Sequence, residues 1–184
     1  MEYRNVIFLD IDGVLQPSYS QKRHEISKEE RDALPSMLAE KFNNPIFLTI
    51  DKYDAAAVYY DWAIDAVDNL KRILSFGEKN GKIIEIIISS DWRLSKSFEQ
   101  LKALFQIYGL DSYVTETIPS TAYLSLKEKD LQAYLENHPA LKNYVVIDDD
   151  SFLKCFTGHF FLVTKGFLRT EETDEICNYF ENCW

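Results

Sequence analysis

With 184 residues, 46% of them hydrophobic and 14% aromatic, the chain has apolar material for one domain with a real core, which excludes disorder over most of its length. The 30 acidic and 20 basic side chains give a formal net charge of −10, which weighs against extended contact with a nucleic-acid backbone while leaving a single terminal phosphate open as a ligand. The 3 cysteines, Cys155, Cys177 and Cys183, and the 3 histidines, His24, His138 and His159, lack zinc-ligand or Cys/His nucleophile spacing, so reduced thiols are expected.

The first predicted element is the apolar run Val6-Ile7-Phe8-Leu9, which ends abruptly at Asp10-Ile11-Asp12-Gly13. Four apolar residues bounded by polar ones fit a strand covered on both faces, and open α/β sheets bind ligands beyond the carboxyl ends of such strands. Side chains alternate along a strand, so Asp10 and Asp12 start on one side and Ile11 on the other. Gly13 then permits a tight turn. The charged start, with Glu2 and Arg4, does not read as a signal peptide.

Residues 16–60 differ from the rest. Polar and charged side chains dominate 21–32, a helix is predicted over 27–42 with Pro35 as an irregularity, and Pro45-Ile46-Phe47-Leu48-Thr49-Ile50 reads as a short strand. This stretch is expected to be a small cap-like insertion within a single domain of residues 1–184. The alternative is a surface excursion with no catalytic part.

Beyond Asp61 the pattern becomes regular. Trp62, Ala66, Leu70, Ile73 and Leu74 predict a helix ended by the 77–81 stretch, and a strand follows over 83–88, closing on Ser89-Ser90-Asp91-Trp92-Arg93. A helix is predicted over 94–108 with Gly109 as its stop, then a weak strand at 113–115 and a polar loop through Ser120. Next come a helix over 126–137, the strand Tyr144-Val145-Val146-Ile147 ending at Asp148-Asp149-Asp150, a fifth strand at 160–163 and a closing helix over 171–180. Strands alternating with helices predict an α/β three-layer, Rossmann-like sandwich around a mainly parallel five-stranded sheet. The longest apolar patch, 83–88, is interrupted by Glu85 and too short to span a bilayer, so a cytoplasmic protein with no membrane partner is expected.

Two strand-end acid clusters repel each other unless a cation lies between them, and carboxylates suit a hard, oxygen-liganded ion such as Mg²⁺. Asp10 and Asp12, Ser89 and Ser90, and Asp148 to Asp150 are expected to converge on one sheet edge, with Lys127 between them. Each has a plain alternative: the serines can cap the following helix, and a lysine in a first helical turn is usually a solvated surface residue. Trp92 is read as core packing, Arg93 as an ion-pair partner propping its loop, and Asp91 and Asp150 as caps or solvated charges.

This order of acid-x-acid-Gly, strand-end hydroxyl, lysine and strand-end acid pair resembles the haloacid dehalogenase (HAD) superfamily of phosphatases. A closer similarity is to the HAD-like domain family of Swiss Army Knife RNA repair proteins. It rests on 8–15, on Ser89-Ser90-Asp91-Trp92-Arg93, on the helix bearing Lys127, Asp130, Leu131, Tyr134 and Leu135, on Val146-Ile147-Asp148-Asp149, and on Gly166-Phe167-Leu168-Arg169-Thr170. Tyr134 stands where tryptophan is frequent, and 16–60 carries no motif that aligns. The resemblance implies a Mg²⁺-dependent phosphatase with Asp10 as nucleophile, Asp12 as general acid and then base, and an aspartyl-phosphate intermediate. It implies Mg²⁺ held by Asp10, the main-chain carbonyl of Asp12, and Asp148, with Asp149 as a further ligand or a neighbour to one. Phosphate is expected to meet Ser89, or Ser90 if the register slips by one, and Lys127.

The substrate implied is a phosphorylated small molecule or a nucleic-acid end, in a pocket built from 16–60 and 115–121. A silent binding or regulatory module and a phosphotransferase are the alternatives. A response-regulator-like phosphoacceptor and a dehalogenase fit less well, because adjacent acids precede the acceptor in the former and Asp12 suits an oxygen leaving group.

Overall fold

A computed structural model describes residues 4–20, 22–120 and 126–184. Gln21 of the predicted polar run and Thr121 of the expected pocket loop lie outside the described residues.

β1 (Asn5–Leu9) is buried throughout. Its alternation divides the core in two: Ile7 and Leu9 enter one apolar cluster, Val6 and Phe8 the other. The 16–60 stretch then contributes α1 (Lys28–Phe42) and α2 (Lys52–Ala56), and a π-helical turn over Ala57–Asp61 follows. Ser27 caps α1 by accepting from the Glu30 N–H at 3.1 Å, and Pro35 is accommodated inside the helix. The strand expected over 45–50 is instead a 3₁₀ helix, Pro45–Thr49. Asn44 accepts from the Ile46 N–H at 3.1 Å and Pro45 stands at the start, so capping chemistry overrides the apolar run.

α3 (Ile64–Lys79) runs through Gly77, where an added Cβ would lie 2.8 Å from the Ile84 side chain and the Lys82 carbonyl. That glycine serves a close helix–strand approach, and the helix ends two residues later than it. β2 (Ile84–Ile88) leads into a 3₁₀ turn, Asp91–Leu94, before α4 (Phe98–Gln106). The predicted 94–108 helix therefore starts late, at a capping box in which Ser97 accepts from the Gln100 N–H and Gln100 accepts from the Ser97 N–H. β3 (Val114–Thr117), α5 (Lys127–Asn137), β4 (Asn143–Asp148), β5 (Phe160–Leu162) and α6 (Thr170–Cys183) complete the order.

The five strands form one parallel sheet in the order β3-β2-β1-β4-β5. Buried residues of α3, α4 and α6 share the cluster on one face with Leu34, Leu38, Phe47 and Val58 from the 16–60 stretch. Leu131 and Tyr134 of α5 and Leu153 of the 3₁₀ turn Ser151–Cys155 cover the other face. This is the three-layer, Rossmann-like α/β sandwich that the sequence predicts. The direction of chain progression reverses between β1 and β4, and that switch point is where open parallel sheets leave a crevice beyond their carboxyl ends. No helix among the described residues is long and apolar enough to cross a membrane.

Candidate active site

Register alone brings the strand-end polar residues together. Leu9 pairs with Ile88 on one side and Ile147 on the other, so Asp10 emerges between Ser89 and Asp148. Backbone hydrogen bonds fix this arrangement: the Asp10 N–H donates to the Ile147 carbonyl at 3.0 Å, and the Ser89 N–H to the Leu9 carbonyl at 3.0 Å. The side chain of Asp10 follows the parity of Val6 and Phe8 and faces the layer that holds α5. Lys127, at the first turn of α5, meets it there.

The Lys127 ammonium lies 3.1 Å from Asp10 Oδ1 and 2.8 Å from Asp148 Oδ2. Asp10 and Asp148 are buried, and with the more exposed Asp149 they bring carboxylate oxygens within 4.8 Å of one another. One ammonium against three carboxylates leaves an uncompensated negative charge in a low-dielectric place. Burial and the Asp148 charge push the Asp10 carboxyl up to about 7 against the pull of Lys127. Burial likewise raises Asp148 and Asp149, again against Lys127. Burial draws the Lys127 ammonium down, but Asp10 and Asp148 outweigh it and push it up to about 12.

An all-oxygen set with excess negative charge fits a hard divalent cation, and Mg²⁺ is the ion that HAD proteins usually use. Gly13 makes the third carboxylate possible. Its φ of +74° is left-handed, and an added Cβ would stand 2.0 Å from Asp149 Oδ2. The Asp12 side chain lies outside this group and turns to Trp92, whose indole Nε1–H donates to Asp12 Oδ2 at 2.8 Å.

The hydroxyls behave differently from each other. Ser89 Oγ, at the strand end next to Asp10, is buried with no hydrogen-bond partner among the described residues. Ser90 Oγ accepts from the Trp92 N–H at 3.5 Å, caps the following turn, and also hydrogen-bonds the Asp10 carboxylate. Asp150 is a cap as expected, accepting from the Phe152 N–H at 2.9 Å, and Asp91 is exposed and paired with Arg93 at 3.0 Å.

Arg93 props its loop more thoroughly than the sequence suggests. Its guanidinium donates to the carbonyls of Ser89 and Ser90 at 2.9 and 3.1 Å and to the buried Asp130 carboxylate of α5. Trp92 packs partly against the core, as expected, but its contact with Asp12 has no signature in the sequence. The one sequence signal at Asp130 is its place with Lys127, Leu131 and Tyr134 in the family-like helix pattern; its burial and its cation are long-range facts of the fold.

Beside Asp12 a cleft of about 530 Å³ opens, lined among others by Arg23, His24, Tyr53, Trp92 and Lys96. Three of these cleft residues come from the 16–60 stretch, so that stretch walls the space next to the acids.

A parallel sheet in this order, with acids at the ends of β1 and β4 and a lysine between them, defines a haloacid dehalogenase-like domain. The family model described as the HAD domain in Swiss Army Knife RNA repair proteins matches residues 6–170, and the chain belongs to that family. No curated protein and no solved structure matches it. Family membership supports a phosphatase-like hydrolase role.

Proposed function

We propose that the chain is a Mg²⁺-dependent phosphatase that hydrolyses a phosphate monoester through an aspartyl phosphate on Asp10. The observation that carries this reading is the bridge of Lys127 between Asp10 and Asp148, at 3.1 and 2.8 Å, next to a strand end whose Ser89 hydroxyl has no partner among the described residues. Phosphoryl transfer needs an in-line nucleophile, neutralised equatorial oxygens and a proton for the leaving group, and these residues supply each part.

Asp10 attacks phosphorus as the carboxylate while the bond to the leaving oxygen breaks. Asp12 gives that oxygen its proton. Lys127 and the Ser89 hydroxyl hold the transferred phosphoryl group. Asp12, now ionised, takes a proton from water as the water attacks the aspartyl phosphate, which releases inorganic phosphate and restores the Asp10 carboxylate and the Asp12 acid. Asp10, Asp148 and the main-chain carbonyl of Asp12 are the ligands proposed for Mg²⁺, with Asp149 beside them. The chemistry that a bound Mg²⁺ supplies is neutralisation of the phosphoryl oxygens and of the acid cluster.

The leaving group is assigned to the cleft beside Asp12, and residues 16–60 act as a cap within one domain. The family's association with RNA repair supports a nucleotide or RNA-end phosphate as substrate. Arg23 and Lys96 border that cleft, but each is paired with an acid, Asp61 and Asp54, and Asp12 and Asp91 line it too, so the support for such a substrate is the family alone. Turnover of p-nitrophenyl phosphate with Mg²⁺, lost on chelation and in Asp10→Asn, tests the reaction. A panel of phosphorylated metabolites and of 3′- and 5′-phosphorylated oligonucleotides tests the substrate. Mg²⁺ binding without turnover across the panel would replace this reading with a silent binding module.

A further inference from the structure

We propose that Trp92 is a positioning residue for Asp12, and that it is itself locked by a Lys96–Asp54 pair reaching in from the 16–60 stretch. This inference rests on the phosphatase reading, in which Asp12 handles the proton of the leaving group.

Asp12 is exposed at the mouth of the cleft, where an unheld carboxylate has several rotamers. One contact singles out a rotamer. The Trp92 indole Nε1–H donates to Asp12 Oδ2 at 2.8 Å. An indole N–H is a donor only, so it engages that oxygen in both forms, more strongly in the carboxylate and still in the acid, where Oδ2 becomes the carbonyl oxygen. Proton traffic is thereby confined to Oδ1.

The ring that makes this contact is fixed from two directions. Its backbone N–H reaches Ser90 Oγ at 3.5 Å, and the following residue is the buried Arg93. Across the ring face lies the Lys96 ammonium, 4.4 Å from the centroid, in cation–π contact. Lys96 is nearly buried and pairs with Asp54 Oδ2 of α2 at 3.1 Å. A continuous chain of contacts, Asp54 to Lys96 to Trp92 to Asp12, therefore runs from the proposed cap to the proposed acid. These side chains also line the leaving-group cleft, so a substrate that fills it presses on the parts that aim the acid.

Trp92→Phe keeps the ring and removes the N–H. The readout is kcat/KM on an aryl ester, p-nitrophenyl phosphate, and on an alkyl ester, β-glycerophosphate, because only the alkoxide needs a well-aimed proton. The expected result is a fall of about tenfold or more on the alkyl ester and of less than about threefold on the aryl ester. Lys96→Met should give a smaller loss with the same bias. Equal losses on both esters, or none, overturn the positioning role and leave the phosphatase reading standing.

A readout without turnover separates the two further. The Trp92 indole ¹H–¹⁵N resonance, assigned by its disappearance in Trp92→Phe, should move upfield in Asp12→Ala. A resonance that stays in place overturns the contact itself. A wild-type chain idle on both esters overturns the phosphatase reading and with it the role of Trp92 in proton transfer.

Discussion

Arg93 and Asp130 form an ion pair whose side chains are 3% and 0% exposed, tying the turn after β2 to the helix that carries Lys127. The elements that bear Ser89 and Lys127, the residues proposed to hold phosphate, are thus tied together by a pair outside the acid cluster. Removing one partner takes the nearest opposite charge from a buried group, so Arg93→Ala should destabilise the fold by about 3–5 kcal/mol in urea unfolding, and Asp130→Ala by less, because Arg93 keeps Asp91 at 3.0 Å. A paired apolar replacement, Arg93→Met with Asp130→Leu, should restore much of that stability. It should not restore activity, because the Ser89 and Ser90 carbonyls still lack their donor. A single-variant loss below about 1 kcal/mol would mean that the pair behaves as a solvated surface bridge.

Gly13→Ala tests how closely the turn after β1 fits the third carboxylate. The new Cβ would meet Asp149 Oδ2 at 2.0 Å, and the backbone there has a φ of +74°. Strain from the left-handed conformation costs about 1–2 kcal/mol, and displacement of Asp149 takes one oxygen from the acid cluster. The expected outcome is a modest drop in melting temperature with a larger, at least about tenfold, weakening of Mg²⁺ affinity by calorimetric titration. Unchanged affinity would assign Asp149 no part in holding the ion.

What the sequence discloses here follows from how local each determinant is. The ends of β1 and β4 are legible because an apolar run that stops at acids reports burial and sheet edge together, within ten residues. Asp10, Ser89, Lys127 and Asp148 meet as expected because parallel register converts equal strand ends into neighbours. The Pro45–Thr49 turn misleads because a run of apolar residues hides its period: Phe47 and Ile50, three apart as a 3₁₀ turn requires, are buried while Leu48 is 60% exposed. The late start of α4 was readable from Ser97 and Gln100, a capping-box spacing that outweighs the apolar periodicity before it. Trp92 on Asp12 and Arg93 on Asp130 bridge 80 and 37 residues, and no local pattern encodes such pairs.

Lys127 balances the charge of Asp10 and Asp148 and is the residue proposed to hold phosphate, so its removal should separate the two roles. Lys127→Met leaves Asp10 and Asp148 with no ammonium at 3.1 and 2.8 Å. The acid cluster becomes more negative, and Mg²⁺ affinity at pH 8 should hold or rise. Turnover should fall by about 10²-fold or more, since a cation on the transferred phosphoryl group is gone. Parallel loss of ion binding and turnover would instead make Lys127 a structural prop for the cluster.

Stability in the absence of metal should fall as pH rises, because of Asp10. Its carboxyl in the folded chain sits at about 7, above the ordinary 3.8, so between those values the folded state holds a proton that the unfolded state has released. The stabilisation is complete below the unfolded value and is lost as pH climbs through the folded one, with a slope of up to about 1.4 kcal/mol per pH unit for one proton. Asp148 is raised in the same direction and titrates with it. Other carboxylates have slopes of their own; Glu116, lowered through Tyr134 and Arg4 against its burial, stabilises the fold above its ordinary pKa and opposes this trend at acid pH. The comparison is therefore wild type against Asp10→Asn, in chelator, by urea unfolding from pH 5 to pH 8. Asp10→Asn should gain on wild type from pH 5 to about 7 and level off above it, and saturating Mg²⁺ should close the gap at pH 8 by stabilising only the ionised wild-type cluster. Parallel curves in chelator would mean that Asp10 is ionised throughout, with Lys127 alone sufficient to keep it so.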